Sequence, residues 1–365
     1  MPKLTLSTHA LGKAYRLSAL RFEIAQGAAQ AIATQPSPMS TPGEEELLIK
    51  VSFYHQFMKR LAKQFNNEIA AKYLELISRG MRSVNLVEGL IKAIEQGIQQ
   101  GDLGPLQKLV AAVHGSTNDM DQDAQGLVAA LETIAEDSLP EKNQFLATLK
   151  EVIAHANTSI FSLNQELESL SQKLPADLDA IVEEANVLAE GIEGLGQGAV
   201  GGAGAIGAGK KPPKGKPGGQ GTGGNSADDI LEALDLASFV LPAIQQISSG
   251  LDGSISATNQ YKSHLDQLVS ISHTLAKERT DLAIAKTIEI QTTLFFEIVT
   301  NFLTNARALQ SGWYAVENDL AQLEKEIGKL DSQGQSALQN TLDSAKHEWA
   351  ALETTLKVAK RNILS

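Results

Sequence analysis

Apolar residues in the first third of the chain recur every three or four positions, which places them along one face of a helix. Three consecutive glutamates, 44–46, precede this stripe, and negative charge is favourable at a helix N-terminus. No further proline occurs until Pro105, so the pattern predicts one helix over 44–100, about 85 Å long. The stripe consists of Leu47, Val51, Tyr54, Met58, Leu61, Phe65, Ile69, Tyr73, Leu76, Ile77 and Met81.

A second stripe, in the C-terminal third, keeps the same spacing over five heptads, which is typical of a coiled coil. Such a stripe ordinarily forms intramolecular core, and a seam for a partner helix is the alternative. We predict a helix over 254–330, about 110 Å long, and a last helix, 334–362, that packs back on the bundle. The stripe consists of Phe295, Ile298 or Val299, Phe302, Ala306, Leu309, Trp313, Val316, Leu320, Leu323, Ile327 and Leu330.

Prolines and glycine-rich breakers divide the rest of the chain into shorter predicted helices. GDLGP at 101–105 ends the first long helix, GSTND follows a short continuation, and SSGLDGS at 248–254 predicts a kink. The shorter helices are expected over 10–33, 107–114, 119–137, 140–173 and 176–193, with another opening at Asp228 and interrupted by Pro242. The predicted fold is all-α, an elongated bundle of very long antiparallel helices.

One insert departs from this helical pattern. Half of the chain's 30 glycines lie in 191–224, and from 194 to 224 there is no Asp or Glu. The first part, 195–208, is uncharged, with Leu195, Val200 and Ile206 among Gly and Ala. The second part is rich in Pro and Gly and carries the four lysines Lys210, Lys211, Lys214 and Lys216.

The insert has two interpretations. Its composition is typical of a flexible linker. The alternative is a membrane-facing element in which an apolar tongue is followed by lysines that meet anionic head groups, at about 1 kcal/mol per basic residue. The apolar part alone is too short for a spanning helix of about 20 residues, so it would need neighbours such as the apolar 237–247 or oligomerisation.

Composition and charge exclude several classes of protein. The chain has 43 acidic and 31 basic residues, a net charge of -12, and scattered Lys and Arg, which argues against nucleic-acid binding. It has no cysteine, so it contains no disulfide and no thiolate metal site. Its first residues lack the apolar core of a signal peptide, and no run approaches the length of a spanning helix. We therefore expect a soluble form without a recognisable cleaved signal.

The motifs that suggest chemistry lack the context they need. Glycines at 196, 198 and 201 match GxGxxG, but a helix precedes them where a dinucleotide site needs a strand. Lys211 stands where a phosphate-binding loop needs Ser or Thr, and Ala124 and Ala130 replace key residues of a calcium loop that Asp119 would begin. The seven histidines lie far apart. We expect no enzyme, no catalytic residue, no metal site and no cofactor.

The order of these elements resembles the cytolysin A and haemolysin BL family of α-helical pore-forming toxins. Two long helices precede an apolar, glycine-rich hairpin, and a very long helix with a tryptophan heptad and a closing helix follow it. The most specific piece is LQSGWYAVENDLAQLEKEI, 309–327, which is similar to the Trp-containing helix after the tongue in these toxins.

The resemblance implies a soluble rod whose head reorganises on a membrane, where subunits form a ring. The tail would comprise 1–174 and 254–365, and the head 175–253, with the tongue at about 191–247. Partners would be target-membrane lipids and sister subunits, and the protein would be secreted. The implied membrane-interacting residues are Leu195, Val200, Ile206, Lys210, Lys211, Lys214, Lys216, Phe239, Val240 and Leu241. The rival hypothesis is a non-enzymatic coiled-coil scaffold or secretion-system tip protein with a flexible linker.

Overall fold

The computed structural model describes residues 6, 8–35, 46–136, 139–195, 239–249 and 255–364. Every regular element within these ranges is a helix, so the predicted all-α fold is confirmed. The α-helices are α1 (His9–Thr34), α2 (Glu46–Gln64), α3 (Ala70–Gln100), α4 (Gln107–Glu136), α5 (Leu139–Ala154), α6 (Thr158–Ser171), α7 (Leu174–Leu195), α8 (Leu241–Ser249), α9 (Ser256–Glu278), α10 (Thr280–Glu326) and α11 (Ser332–Leu364). A π-helix, Phe65–Ile69, joins α2 to α3, and 3-10 turns lie at Gly104–Leu106 and Ile327–Lys329.

The long helix predicted over 44–100 is confirmed from Glu46 to Gln100, with the π-helical turn inside it. It ends at Gly101, which takes a left-handed conformation with φ 73° and donates its N–H to the Ile98 carbonyl at 3.1 Å. A glycine adopts this conformation without a Cβ penalty, which is why the helix stops at the predicted breaker.

Two of the predicted helix boundaries are wrong. The GSTND stretch does not end a helix, because α4 continues through it with Thr117 fully buried and its hydroxyl donating to the His114 carbonyl at 2.9 Å. Burial of this face outweighs the weak local helix propensity. The predicted helix 140–173 is two helices, since the Asn157 side chain caps α6 by accepting the Ile160 N–H at 2.9 Å.

The predicted helix 254–330 is also interrupted. Arg279 is extended, with φ -150° and ψ 96°, and separates α9 from α10. Its guanidinium is paired with Asp281 in the first turn of α10, with Nε 2.8 Å from Oδ1. A carboxylate in that turn favours a new helix start, although neither glycine nor proline marks the break.

The contacts divide the described chain into two compact units. Unit 1 comprises Met1–Ala19, Ile69–Ala130 and Phe302–Leu364. Unit 2 comprises Leu20–Glu68 and Leu131–Asn301. The helices on either side of the glycine-rich insert, α7 and α8, both belong to unit 2.

The core of unit 1 is built around the chain's two tryptophans, both fully buried. Trp313 of α10 donates its indole N–H to the Tyr15 hydroxyl of α1 at 2.9 Å. Trp349 of α11 donates its indole N–H to the Leu6 carbonyl at 3.0 Å, and the two indole centroids lie 6.5 Å apart. Each indole satisfies its polar end inside an apolar core, and together they attach the N-terminal segment to α10 and α11.

The heptad residues of α10 from Leu309 to Leu323 are buried in unit 1, as is Ile327 beyond it. They therefore form intramolecular core in this structure, in agreement with the first of the two predicted interpretations. Near them, Gly312 allows a close approach of α1, because a Cβ at this position would lie 2.8 Å from Leu11 Cδ1 and 3.4 Å from Leu11 Cα.

In unit 2 the first half of α10 is enclosed on nearly every side. Between Asp281 and Val299 the only exposed residue is Glu297. The buried amide of Gln291 accepts a hydrogen bond from the Gln35 amide at 3.0 Å. Because this segment is buried on nearly every side, it is the central helix of unit 2.

A histidine in unit 1 provides a pH-dependent contact between α4 and α10. His114 Nδ1 lies 2.8 Å from Glu324 Oε2, and His114 Nε2 lies 3.1 Å from Glu317 Oε1. Burial lowers the His114 pKa, but the hydrogen bonds to Glu317 and Glu324 and their charges outweigh it, so the pKa rises above 6.5.

Because the folded pKa of His114 is raised, we expect its stabilisation of unit 1 to be complete below pH 6.5 and to be lost as the pH rises through the folded pKa. The substitution His114→Gln should remove this component of the slope of unfolding free energy against pH, measured by urea titration. The exposed His155 of unit 2 supplies the control substitution, His155→Gln, which changes the same residue type outside this contact. An unchanged slope in His114→Gln would contradict the assignment.

Candidate functional site

The predicted membrane-interacting residues lie only partly within the described chain. Leu195 is the last residue of α7, and Phe239, Val240 and Leu241 lead into α8. The others lie outside the described residues: Val200, Ile206, Lys210, Lys211, Lys214 and Lys216. Of the predicted tongue, 191–247, the described residues are therefore 191–195 at its start and 239–247 at its end.

This segment turns its apolar side chains inward. Phe239 and Val240 are 1% and 0% exposed, and Ile244 and Ile247 of α8 are also buried. Leu241 is half-buried. The spacing of the buried positions 240, 244 and 247 fits one face of a helix. In this conformation Phe239 and Val240 are shielded from their surroundings, so lipid could reach these two residues only if α8 left its place.

Pro242, where the sequence predicts an interruption of a helix, lies in the first turn of α8. It is the second residue of α8, where proline's fixed φ is compatible with helix and its missing N–H removes no helical hydrogen bond. The Ile244 N–H reaches back to the Val240 carbonyl at 3.1 Å. The predicted opening of this helix at Asp228 lies outside the described residues.

α8 has contacts with α7, with α9 and with the part of α1 that belongs to unit 2. It packs against α7 and α9, which flank it in sequence, and against α1 at Gly27. A Cβ built on Gly27 would lie 3.0 Å from the Ala243 Cβ, closer than most real Cβ contacts. The glycine therefore permits the close approach of α1 and α8, and a larger residue there would push the helices apart.

Acidic residues of α7 hold the start of α9 in place. Glu184 Oε1 accepts the Ser256 hydroxyl at 2.7 Å, and Glu184 Oε2 lies 3.4 Å from the Ala257 backbone nitrogen. The hydrogen bond from Ser256 is the main cause that lowers the Glu184 pKa. A carboxylate at a helix N-terminus satisfies backbone N–H groups that lack partners within the helix.

A second acidic contact lies deeper between the same two helices. His264 Nδ1 of α9 is 2.6 Å from Oδ2 of the buried Asp177 in the first turn of α7. The fully buried Tyr261, one helical turn before His264, has a raised pKa because of burial and, secondarily, the Asp177 charge. α8 thus packs against two helices, α7 and α9, that polar contacts join to each other.

These contacts have few local signals in the sequence. His264 lies in a seam between α7 and α9. Gly27 lies in a run of small residues, AQGAAQA, a composition that lets another helix approach closely, but nothing in the run identifies α8 as that helix. Asp177 and Glu184 had no local signal that distinguishes them from ordinary helix-surface acids.

The described residues contain neither a metal-binding cluster nor a helix that could span a membrane. No group of His, Asp and Glu side chains among them could hold a metal ion. Among the same residues, no helix combines the length and the apolarity needed to cross a bilayer.

No family model matches the chain, and no curated protein sequence matches it. Solved structures do match over nearly the whole chain. Soluble SmhA of the tripartite α-pore-forming toxin Smh from Serratia marcescens has a TM-score of 0.70 at 17% identity, covering 98% of this chain and 96% of SmhA. The Bacillus cereus toxin component HblL1 has a TM-score of 0.70 at 14% identity, covering 99% of both chains.

A third similar protein, AhlB, is known in soluble, pre-pore and pore forms. Soluble AhlB, from the tripartite α-pore-forming toxin AHL of Aeromonas hydrophila, has a TM-score of 0.63 at 12% identity and covers 97% of this chain and 93% of its own. The AhlB pore has a TM-score of 0.58 at 14% identity, covering 98% of both chains. The chain thus has the fold of the α-pore-forming toxin components, as its resemblance to the cytolysin A and haemolysin BL family implied.

Proposed function

We propose that this chain is a non-enzymatic component of an α-helical pore-forming toxin that binds and oligomerises on target membranes. It would be one subunit of a multi-component system, as SmhA and AhlB are components of tripartite toxins. It would be secreted and reach the membrane from a soluble form. Residues 175–253 would form the head that reorganises, and 1–174 with 254–365 the tail.

The observation that carries the proposal is the enclosure of α8. An apolar segment next to a glycine-rich insert is packed against α1, α7 and α9, within a fold whose relatives include soluble and pore forms. The fold is also more similar to soluble AhlB than to the AhlB pore. Both points favour a soluble state that stores an apolar segment.

The energetics of α8 favour a membrane-triggered release. Full burial of an apolar side chain is worth about 1.5–3 kcal/mol, so the four buried residues Phe239, Val240, Ile244 and Ile247 contribute about 6–12 kcal/mol. Opening in water is therefore rare. The four insert lysines would gain about 4 kcal/mol at an anionic surface, which does not offset this alone. Transfer of the apolar residues into lipid or between protomers must supply the rest.

In this mechanism the lysines dock the insert and the apolar residues follow into the bilayer. Lys210, Lys211, Lys214 and Lys216 would meet the head groups. Leu195, Val200, Ile206, Phe239, Val240 and Leu241 would then face lipid. Because the apolar segments are short, several protomers or sister subunits would have to combine them into one spanning structure.

The proposal predicts membrane-dependent rings. The full chain, mixed with phosphatidylcholine vesicles with and without phosphatidylglycerol, should form ring-shaped oligomers visible by negative-stain electron microscopy, whereas the chain without vesicles should not. Deletion of 196–224 should abolish the rings while leaving the circular dichroism of the helices unchanged. A chain that stays monomeric on both vesicle types would contradict the proposal and favour the scaffold hypothesis.

A further inference from the structure

The outward face of α2 carries an apolar and basic surface that no part of the proposed tongue mechanism uses. Ile49 and Phe53 are 56% and 75% exposed, and Phe57, one further helical turn along, is half-buried. Positions four apart on a helix lie above one another, so the three side chains form one stripe. We define the α2 face as Ile49, Lys50, Phe53, Phe57, Arg60 and Lys63.

This stripe is separate from the face that α2 turns to its own unit. The inward side is occupied by buried residues, among them Val51 and Met58. Tyr54, on the same side, stacks on Phe145 of α5 with ring centroids 4.2 Å apart and an interplanar angle of 8°. Because the core positions are filled, Phe53 cannot be buried by a rotation of α2.

The charge of α2 is opposite to that of the whole chain. The helix Glu46–Gln64 contains four basic residues and one acidic residue, and no further acid occurs until Glu68, in a chain of net charge -12. Lys50 pairs with the one acid, Glu46, at 2.7 Å. Arg60 and Lys63 are exposed on the same side as the apolar stripe.

The arrangement of cations and rings suits an interface between water and lipid. The Arg60 guanidinium carbon lies 5.1 Å from the Phe57 ring centroid, which orients the arginine along the aromatic stripe. Lys and Arg can lay their apolar stems on such a surface while their charges reach head groups. Exposed aromatic and aliphatic residues beside Lys and Arg are the composition of helices that lie on a membrane.

From this geometry we infer that the α2 face is a second membrane-contact surface, which docks unit 2 on an anionic lipid bilayer. The inference rests on the proposed function, since it presumes that the protein meets a membrane. It adds a docking step that precedes release of α8 and requires no rearrangement, because Ile49, Phe53 and the cations are already exposed. The last residue described after α1, Gln35, hydrogen-bonds to His55 of α2 at 3.0 Å, and α1 also packs on α8, so the docked face and the stored segment belong to one unit.

Vesicle flotation with the full chain tests this inference. We expect the double substitution Ile49→Ser with Phe53→Ser to weaken binding about tenfold on vesicles of phosphatidylcholine with phosphatidylglycerol, since part of the burial energy of two apolar side chains is lost. The double substitution Arg60→Gln with Lys63→Gln should weaken binding by about thirtyfold on these vesicles and leave binding to pure phosphatidylcholine unchanged.

A matched control comes from α6, which exposes Phe161 by 48% on a helix without basic residues. Phe161→Ser should bind vesicles like the unmodified chain, and circular dichroism should be the same for all variants because every changed residue is exposed.

If the Ile49 and Phe53 variant binds vesicles as tightly as the unmodified chain, the inference is wrong and the proposed function stands. A loss of oligomers with unchanged vesicle binding would assign the face to a protein partner and also overturn it. If the unmodified chain binds no vesicle, both proposals fail.

Discussion

A disulfide between α1 and α8 should switch membrane activity off until it is reduced. The chain has no cysteine, so the double substitution Gly27→Cys with Ala243→Cys introduces the one possible pair. A Cβ on Gly27 lies 3.0 Å from Ala243 Cβ, and disulfides join Cβ atoms about 3.5–4.5 Å apart, so a small separation of α1 and α8 suffices.

The expected effect of this crosslink is large because it acts on the step that the mechanism requires. A disulfide stabilises the linked arrangement by about 2–4 kcal/mol, which lowers the population with α8 released by roughly thirty- to a thousand-fold. Ring formation on anionic vesicles and release of a trapped dye should both disappear in the oxidised protein. Addition of a reducing agent should restore them.

The control variants separate the crosslink from the substitutions. Gly27→Cys alone and Ala243→Cys alone cannot form the intramolecular bond, so both should keep the activity of the reduced double variant under oxidising conditions. Ring formation and dye release by the fully oxidised double variant would show that α8 stays on α1 while the protein assembles on the membrane and permeabilises it. That result would remove the central step of the proposed mechanism while leaving vesicle docking through the α2 face open to its own test.

Long periodic segments could be predicted from the sequence because one face of each is buried. The stripe from Leu47 to Ile77 and the heptads of α10 both occupy core positions in the structure. The break at Arg279 could not be predicted from the sequence, because neither glycine nor proline marks it. It depends on the ion pair with Asp281 and on the start of a new helix.

For the candidate site, too, local features could be predicted from the sequence and tertiary contacts could not. The apolar character of Phe239 and Val240 and their place beside the insert were evident from composition. Their burial was not, because burial depends on tertiary packing, such as the approach of α8 to Gly27 of α1, more than two hundred residues earlier in the chain. A contact of this kind joins positions whose local sequences carry no common pattern, so only the folded arrangement reveals it.

Loss of a buried tryptophan should strongly destabilise unit 1. Trp313→Ala should lower the free energy of unfolding by about 3–5 kcal/mol, as expected for removal of a large buried aromatic side chain that leaves a cavity. The loss includes the hydrogen bond to Tyr15, whose buried hydroxyl then lacks the indole donor. Urea unfolding followed by far-UV circular dichroism measures the change.

The adjacent residue provides a control at the same point of α10. Tyr314 is 57% exposed, so Tyr314→Ala removes a comparable aromatic side chain without opening a cavity and should change stability by less than about 0.5 kcal/mol. Trp313→Phe should fall between the two, because it keeps most of the apolar volume but not the N–H that the Tyr15 hydroxyl accepts. Equal stabilities for Trp313→Ala and Tyr314→Ala would mean that the α10 heptads do not form the core of unit 1. Trp313→Ala also tests whether the Tyr15–Trp313 contact anchors the N-terminal segment to α10. If it does, protease cleavage before Tyr15 should be faster in Trp313→Ala than in Tyr314→Ala.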